Sequence, residues 1–417
     1  MRGLTDGDIG DAVAAILDER LAPHAPWPVA VAISGGGDSL ALLLAASAWA
    51  KRRGRRLLAL NVDHRLQAAS AGWAQACADL ARRAGADFQA LSWNDPRPAT
   101  GLSAAARDAR HRLLADAVRA AGARVILLGH TADDVAEAVL MREAGATTPS
   151  PRVWGPSPAW PQGRGLFLLR PLLAIGRGDI RDWLAAKGES WIEDPANADL
   201  RFARPRARRA LSGSPRPLEA APTPDLAPLA AACSDVAGTL VIDRHRLRDA
   251  DLLAAARFTA MACLCAAGAT RPPRTARLDR LTDALRGKAP LIATLAGARV
   301  QADDDLVRFM REPGRDGLAT VLVQPGETIV WDGRFEVTAQ RALTLAPLGG
   351  RLKRLSREDQ AALRVLPPAG RAALPVVVDG ERALCPLWGS VDGVTVRSLP
   401  HARLLAACSA IKREPES

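Results

Sequence analysis

Residues 29–44 constrain the fold of this 417-residue chain more than any other segment. Residues 29–33 are all apolar and predict a buried strand, and residues 40–50 predict a helix rich in Ala and Leu. Between them lies the turn Ser34-Gly-Gly-Gly-Asp-Ser39, which has no side-chain bulk at its centre. Backbone amides and the helix dipole converge where such a turn enters a helix, and glycines let an anion approach the backbone. The segment therefore predicts a phosphate-binding loop.

Two common phosphate loops do not fit this turn. A Walker A loop ends in Gly-Lys-Ser/Thr, and residues 34–39 contain no lysine. A dinucleotide-binding loop needs a third glycine, but Ser39 and Leu40 follow Asp38. The structural alternative is an ordinary helix start that Asp38 or Ser39 caps, with the glycines serving tight packing.

Residues 1–210 alternate strand and helix patterns at the spacing of βαβ units. The predicted strands are residues 29–33, 57–62, 88–92 and 124–129, and the predicted helices are residues 39–53, 71–84, 103–121 and 132–144. Apolar strands separated by helices indicate an α/β domain with a parallel, doubly wound sheet. Ligands bind at the carboxyl ends of such strands. The glycine turn, Asp63-His64 and Gly129-His130 all follow predicted strands.

The composition changes after residue 210. Residues 145–165 predict a long loop before that point, and residues 211–228 form a proline-rich linker. Residues 229–317 are predicted to be mostly helical, and residues 318–417 to form a small α+β domain. Within the latter, Asp332-Gly333 lies between two β-branched runs and predicts a hairpin.

Charge and cysteine usage limit the partners and the compartment. The chain has 56 Lys and Arg against 45 Asp and Glu, a net charge of +11, which suggests a polyanionic partner such as nucleic acid. A generally Arg-rich composition would explain the same excess. The six cysteines form no Cys-x-x-Cys pair, and no apolar run approaches the ~20 residues of a membrane span. We expect a cytoplasmic protein with reduced thiols and no membrane contact.

An acidic cluster follows the fourth predicted strand. Asp133 and Glu137 are four residues apart and share one helical face, with Asp134 beside them. Acidic residues are common in the first turn of a helix, because the helix dipole favours them there. The functional interpretation is a group of carboxylates that faces the phosphate loop and holds Mg²⁺ or a substrate ammonium.

Basic residues lie on two other segments. Arg107, Arg110 and His111 fall on one predicted helix, where they could face an anion or simply solvent. Residues 201–209 contain five arginines just before the linker, which suits either a phosphate-backbone contact or a solvated flank.

The glycine turn resembles the pyrophosphate loop of the N-type ATP pyrophosphatases, the PP-loop superfamily. Further blocks are similar to the tRNA(isoleucine)-lysidine synthetases and occur in that family's order: Val62-Asp-His-Arg-Leu66, Ala105-Ala-Arg-Asp-Ala-Arg110, His130-Thr-Ala-Asp-Asp134 with Glu137 and Leu140-Met-Arg142, Arg170-Pro-Leu-Leu173, Glu193-Asp-Pro-Ala-Asn197 and Phe202 to Arg208. A weaker resemblance continues in Trp331-Asp-Gly-Arg334 and in Leu366-Pro-Pro-Ala-Gly-Arg371 with Leu374-Pro375.

The resemblance implies an enzyme that ligates free lysine to the wobble cytidine of a CAU-anticodon isoleucine tRNA. In that reaction ATP adenylates the cytosine O2, and the lysine amine then displaces AMP at C2. The residues implied in catalysis are Asp38, Asp133, Asp134, Glu137 and Arg107. Those implied in binding ATP are Ser34, Gly35, Gly36, Gly37, Asp38, Ser39, Asp63 and His64. Those implied in binding lysine or tRNA are His130, Arg110, Arg204, Arg206 and Arg208, with Mg²⁺ on Asp38 and Asp134.

Four positions depart from the family pattern. Thr131 replaces a second His, Val135 a Gln, Ala138 a Thr and Pro205 an Asn. A PP-loop enzyme that thiolates or amidates tRNA is an alternative, as is a tRNA-binding relative without catalysis. The oligomeric state is left open between a monomer and a homodimer.

Overall fold

The parallel sheet expected for the first half of the chain is present in a computed structural model. The structure describes residues 8–65, 70–146, 150–193, 203–211 and 224–416. They divide into two units, of which unit 1 comprises residues 1–222 and 411–417, and unit 2 comprises residues 223–410. Most of the predicted linker, residues 212–223, lies outside the described residues.

Unit 1 is an α/β unit, as the sequence predicts. Its strands are β1 (Val29–Ala32), β2 (Leu57–Asp63), β3 (Asp87–Ser92), β4 (Val125–Leu127), β5 (Trp154–Pro156) and β6 (Phe167–Leu169). Its helices are α1 (Asp8–Arg20), α2 (Gly37–Arg53), α3 (Ser70–Ala84), α4 (Leu102–Ala120), α5 (Ala132–Glu143), α6 (Arg177–Ala186) and α7 (Ala203–Leu211).

The strand order of this sheet places the glycine turn at a topological switch point. The order is β3-β2-β1-β4-β6-β5. Strand β1 pairs in parallel with β2 on one side and with β4 on the other, so the chain changes direction across the sheet between them. In open α/β sheets a ligand crevice forms at such a point, beyond the carboxyl ends of the strands. The fold class predicted from the sequence is confirmed.

Burial explains why these segments form strands. All four residues of β1 are buried, and Val29 to Val31 have no exposed surface. A strand covered on both faces has apolar residues at every position. The predicted loop over residues 145–165 contains one element that its pattern did not indicate. Strand β5 pairs antiparallel with β6 at the sheet edge.

Unit 2 contains three antiparallel sheets. The first has the order β7-β8-β11-β10-β9, the second β12-β15-β16-β17 and the third β13-β14-β18. The strands are β7 (Ser234–Val236), β8 (Thr239–Asp243), β9 (Leu291–Leu295), β10 (Ala298–Ala302), β11 (Leu306–Arg311), β12 (Val321–Val323), β13 (Thr328–Trp331), β14 (Phe335–Ala339), β15 (Leu343–Pro347), β16 (Pro375–Asp379), β17 (Arg382–Leu384) and β18 (Val394–Ser398). The helices are α8 (Ala227–Ala231), α9 (Arg244–Asp249), α10 (Leu252–Ala267), α11 (Thr275–Arg286), α12 (Arg357–Ala362), α13 (Pro368–Ala372) and α14 (Pro400–Ala407), with 3₁₀ turns at Leu352–Arg354 and Leu363–Val365.

Residues 229–317 are less helical than the sequence predicts. Helices α8 to α11 are present, but residues 229–317 also contain the whole five-stranded sheet. Its strands are at most six residues long, and Arg or Gln interrupts their apolar positions, as in β10 and β11. So short an alternation is a weak strand signal.

The hairpin predicted at Asp332-Gly333 is present between β13 and β14. Both turn residues have positive φ, +49° at Asp332 and +65° at Gly333. Such a turn matches the twist of the two strands that it joins. Among the helices in the described ranges, none is both long enough and apolar enough to cross a membrane.

Candidate active site

The glycine turn forms the floor of the candidate site. Helix α2 begins at Gly37 with Gly36 as its N-cap, so neither Asp38 nor Ser39 caps this helix. Instead the Ser39 hydroxyl donates to the Gly36 carbonyl oxygen (2.9 Å), and the Ser34 amide donates to Ser39 Oγ (3.2 Å). The loop is thus closed on itself in front of the helix N-terminus, where the dipole favours an anion.

Two glycines are required by close approaches around this loop. Gly35 has φ of +83°, and a Cβ there would lie 2.6 Å from Ile192 Cδ1. Gly129 follows β4, and a Cβ there would lie 3.1 Å from the Asp38 carbonyl oxygen. The positive φ at Gly35 would strain any other residue, and a side chain at Gly129 would push against the backbone at the start of α2.

Three carboxylates of helix α5 lie beside the loop that contains Asp38, and each is held by a different contact. Asp134 Oδ2 accepts from the Thr131 amide (2.9 Å) and hydroxyl (3.2 Å) at the start of α5. Asp133 Oδ2 accepts from the Arg177 amide (2.8 Å) and so caps helix α6. Glu137 is 1% exposed and pairs with Arg208 Nε on α7 (2.9 Å). Arg177 contacts two of these carboxylates, Asp134 and Glu137, together with Asp38.

Arg177 stands at the centre of this cluster, and the sequence analysis did not single it out. Its guanidinium contacts Asp38 (3.0 Å), Glu137 (3.3 Å) and Asp134 (3.7 Å). The sequence signal for it is its place directly after Gly176, at the first position of a helix. Nothing in that local pattern shows that the helix starts against α2 and α5, because those contacts join segments about 40 and 139 residues apart.

The electrostatics of the cluster follow from this arrangement. Burial raises the pKa of Asp38, and the neighbouring Asp134 and Asp133 add to the rise, while Arg177 opposes it. Burial alone would lower the pKa of Arg177, but Asp38, Asp134 and Glu137 together raise it above its ordinary value. Arg177 is therefore a permanent cation among acidic groups.

A basic cluster lies on the other side of the loop. Arg170 donates from Nε to His130 Nδ1 (3.1 Å), so the other ring nitrogen of His130 carries the proton when the imidazole is neutral. Burial, together with Arg107 and Arg110, lowers the pKa of Arg170 to about 10. Burial and the same arginines lower the pKa of His111 to about 3, so its imidazole is neutral at pH 7. The grouped positive charge suits a phosphate-bearing ligand.

One cavity of about 590 Å³ joins the loop and the two clusters. The predicted site residues that line it are Ser34, Gly36, Gly37, Asp38, Ser39, His64, Arg110, His130, Asp134 and Arg208. The cavity is also lined by four residues that were not predicted from the sequence: Arg177, Arg181, Trp191 and Ile192.

The remaining predicted residues have other surroundings. Asp63 Oδ1 accepts from the Arg65 amide (2.7 Å) in a turn after β2. Arg107 and Arg206 are exposed on their helices. Arg204 belongs to α7, but its side chain lies outside the described residues. Residues 194–197 and 201–202 of the family blocks also lie outside them.

The departures from the family pattern have local explanations at two positions. Thr131 is fully buried, and its hydroxyl fixes Asp134 as described above. Pro205 is the third residue of α7, in the first turn, where proline removes no intrahelical hydrogen bond.

The comparisons with known proteins identify the family of this chain. Residues 11–214 match a family model described as a PP-loop domain, which defines the class of ATP-utilising domain. The tRNA(Ile)-lysidine synthase of Caulobacter vibrioides is 47% identical over 97% of this chain and 98% of that protein. Those of Mesorhizobium japonicum and Brucella ovis are 35% and 36% identical, over 87% and 77% of this chain and 85% and 77% of theirs. The chain therefore belongs to the tRNA(Ile)-lysidine synthase family.

Proposed function

We propose that this enzyme joins free lysine to C2 of the wobble cytidine of a CAU-anticodon isoleucine tRNA, with release of AMP and pyrophosphate from ATP. The observation that carries the proposal is the single cavity in which the phosphate loop meets an acidic and a basic cluster. ATP first adenylates the cytosine O2, and the lysine amine then displaces AMP at C2. Each half of this chemistry needs groups that the cavity supplies.

The loop suits the leaving pyrophosphate. Backbone amides of residues 34–39 and the dipole of α2 offset the negative charge that develops when the bond between the α and β phosphates breaks. Asp38 and Asp134 are the carboxylates placed to hold Mg²⁺ with the phosphates, where the ion would neutralise the same charge.

The residues fit that ion only in combination with phosphate oxygens. Among the described side chains, no group of three or more His, Cys, Asp or Glu is arranged to bind a metal by itself. Mg²⁺ commonly takes one or two carboxylates together with substrate phosphates.

The basic cluster suits the adenylated base or the tRNA backbone. Arg110 and His130 line the cavity, and Arg170 orients His130. Their charge favours a phosphate next to a base that has left its stack, as base-modifying enzymes require. The basic helix α7 brings Arg208 to the same cavity.

Incubation with CAU-anticodon isoleucine tRNA transcript, ATP, Mg²⁺ and labelled lysine tests this function. Label should appear in the tRNA, with AMP formed in equal amount. Folded protein that transfers no lysine would contradict the proposal. An Asp38→Ala protein should lose turnover and keep its fold, because Asp38 is 24% exposed in its side chain and faces the cavity.

Cysteine chemistry opposes the thiolation and amidation alternatives. All six cysteines are buried. Burial raises the pKa of Cys77, the cysteine beneath the loop, to about 11, so it is a neutral thiol at pH 7. A nucleophilic cysteine needs an exposed, electropositive setting that lowers its pKa. A tRNA-binding relative without catalysis would release no AMP in the assay above.

A further inference from the structure

The contacts around Arg177 separate two roles, holding the carboxylates in place and neutralising them. Asp134 is fixed by Thr131, Glu137 by Arg208, and Asp133 by the first amide of α6. These carboxylates keep a partner without the Arg177 guanidinium. Among the described residues, Asp38 has Arg177 as its side-chain partner. Arg177 therefore contributes charge more than position.

The cluster already holds an organic cation, the guanidinium of Arg177. The carboxylate oxygens of Asp38, Glu137 and Asp134 lie 3.0, 3.3 and 3.7 Å from guanidinium nitrogens. The Asp38 contact lies within the about 2.7–3.2 Å that is usual for a hydrogen bond, and the contacts to Glu137 and Asp134 are longer ion pairs. The oxygens surround a space that a nitrogen cation fills.

Arg177 can leave this space without disturbing its helix. Its backbone amide is anchored on Asp133, while its side chain lies at the cavity wall and is 14% exposed. Rotation about side-chain bonds would release Asp38, which is 24% exposed, and leave α6 in place.

We propose that Arg177 is a resident counter-ion that occupies the place of a lysine ammonium in the ligand-free enzyme and withdraws from Asp38 when lysine binds. The proposal rests on the proposed function and names a residue that sets the affinity of that site. Arg177 is a specificity-determining residue here, because a neutral ligand of the same shape could not displace it. With Arg177 in place, the carboxylates do not face one another without a cation between them.

The competition predicts an increase in lysine affinity when the guanidinium is removed. Free lysine titrated into full-length Arg177→Met protein by calorimetry should bind about tenfold more tightly than to wild type, since no charged hydrogen bonds must break first. Arg177→Lys should fall between the two, because its shorter side chain reaches fewer of the carboxylates. Arg56→Met removes a distant exposed partner of Asp87 and should match wild type.

A second measurement separates competition from a change of structure. Ethylguanidinium at millimolar concentration should raise the lysine Kd of Arg177→Met towards the wild-type value, by refilling the cluster. The same addition should leave Arg56→Met unchanged. Arg177→Lys supplies the comparison of affinities if Arg177→Met does not fold.

The outcomes that overturn the proposal are specific. Unchanged, weaker or unmeasurable lysine binding to Arg177→Met would show that the guanidinium does not compete. Tighter binding of Mn²⁺ alone, without a gain for lysine, would assign the cluster to a metal. If wild type transfers lysine to tRNA but Arg177→Met gains no affinity, only the counter-ion proposal fails. If wild type transfers none, the proposed function fails regardless of Arg177.

Discussion

Acidic and basic side chains occupy different positions around the phosphate loop. Carboxylates gather on α5 and at the start of α2, whereas arginines gather on α4 and after β6. Between the arginines stands the buried His111, 7% exposed. Burial disfavours a positive charge on His111, and the charges of Arg110, Arg107 and Arg170 add to this effect, so the folded protein keeps this imidazole neutral.

This neutrality makes the stability depend on pH. The pKa of His111 is about 3 in the folded protein against 6.5 as its ordinary value. Between these pH values the unfolded chain binds a proton that the folded chain does not, so stability is lost as pH falls below 6.5. At pH 5 the loss from this group is about 2 kcal/mol.

The variant His111→Gln tests that loss, because glutamine does not titrate. Its urea midpoint should fall less between pH 7 and pH 5 than that of wild type. His24→Gln, on an exposed histidine, should retain the wild-type difference. Equal pH dependence in wild type and His111→Gln would mean that His111 is protonated in the folded state.

Sequence patterns predict some of the neighbours in the site and leave out others. The aspartates and Glu137 could be grouped because helical spacing puts them on one face. Arg177 joins them only through tertiary structure. Conversely, Arg334 belongs to a family block, yet it is 2% exposed, pairs with Asp332 and donates to the Ala373 carbonyl oxygen. Its place in the motif is structural.

At the scale of elements, the site is made where helix starts meet strand ends. Helices α2, α5 and α6 all begin at the cavity, and Asp133 and Asp134 cap two of these starts. Asp133 and Asp134 therefore have the structural role at helix starts that the sequence allows for, and Asp134 also lines the cavity. The tight spacing depends on Gly129, which lets the end of β4 approach the first turn of α2.

Replacement of this glycine should impair the site more than the fold. In Gly129→Ala the Cβ would lie 3.1 Å from the Asp38 carbonyl oxygen and 3.2 Å from Ser39 Cα. Because both are backbone atoms, the loop must shift by a few tenths of an ångström. We expect lysine transfer to fall by about 10- to 100-fold.

Gly10→Ala is the matched control, because a Cβ at this helical position meets nothing within 4 Å. Its transfer rate should equal that of wild type. Unimpaired transfer by Gly129→Ala would show that the loop tolerates the displacement.

The composition and length of the elements explain which of them the sequence predicted. In unit 1 strand β1 is fully apolar and helix α2 is 17 residues long, so both patterns were clear. In unit 2 some short strands pair with distant partners, as β8 with β11, and polar residues interrupt their apolar positions, as Arg308 does in β11. Their existence depends on contacts that a local pattern does not contain.

At the scale of the whole molecule, the chain returns to unit 1 after completing unit 2. Residues 411–417 belong to unit 1, although the sequence analysis assigned them to the C-terminal domain. Trp154 Nε1 donates to the Ile411 carbonyl oxygen (2.7 Å), and Arg124 donates to that of Pro415 (2.6 Å). A truncation after residue 215 therefore removes part of unit 1 as well as unit 2.

Glu414 makes several of the contacts that hold this C-terminal segment in unit 1. Its carboxylate pairs with Arg55 (3.1 Å), and both side chains have no exposed surface. It also accepts from Trp27 Nε1 (2.7 Å) and from the Ala22 amide (2.8 Å). A charge buried with so many donors is costly to remove, because its partners are left without an acceptor.

Glu414→Ala should therefore destabilise unit 1 by about 3 kcal/mol, since the Arg55 guanidinium would remain buried without its counter-charge. Glu416→Ala, on an exposed residue of the same segment, should be neutral within about 0.5 kcal/mol. Urea unfolding monitored by hydrogen exchange of β1 and β4 amides would assign the loss to unit 1. The double variant Arg55→Met with Glu414→Ala should recover part of the loss, because it removes the unpaired charge. If the double variant is destabilised by the sum of the two single changes, Arg55 and Glu414 are not energetically coupled, and the C-terminal segment is held by its backbone contacts instead.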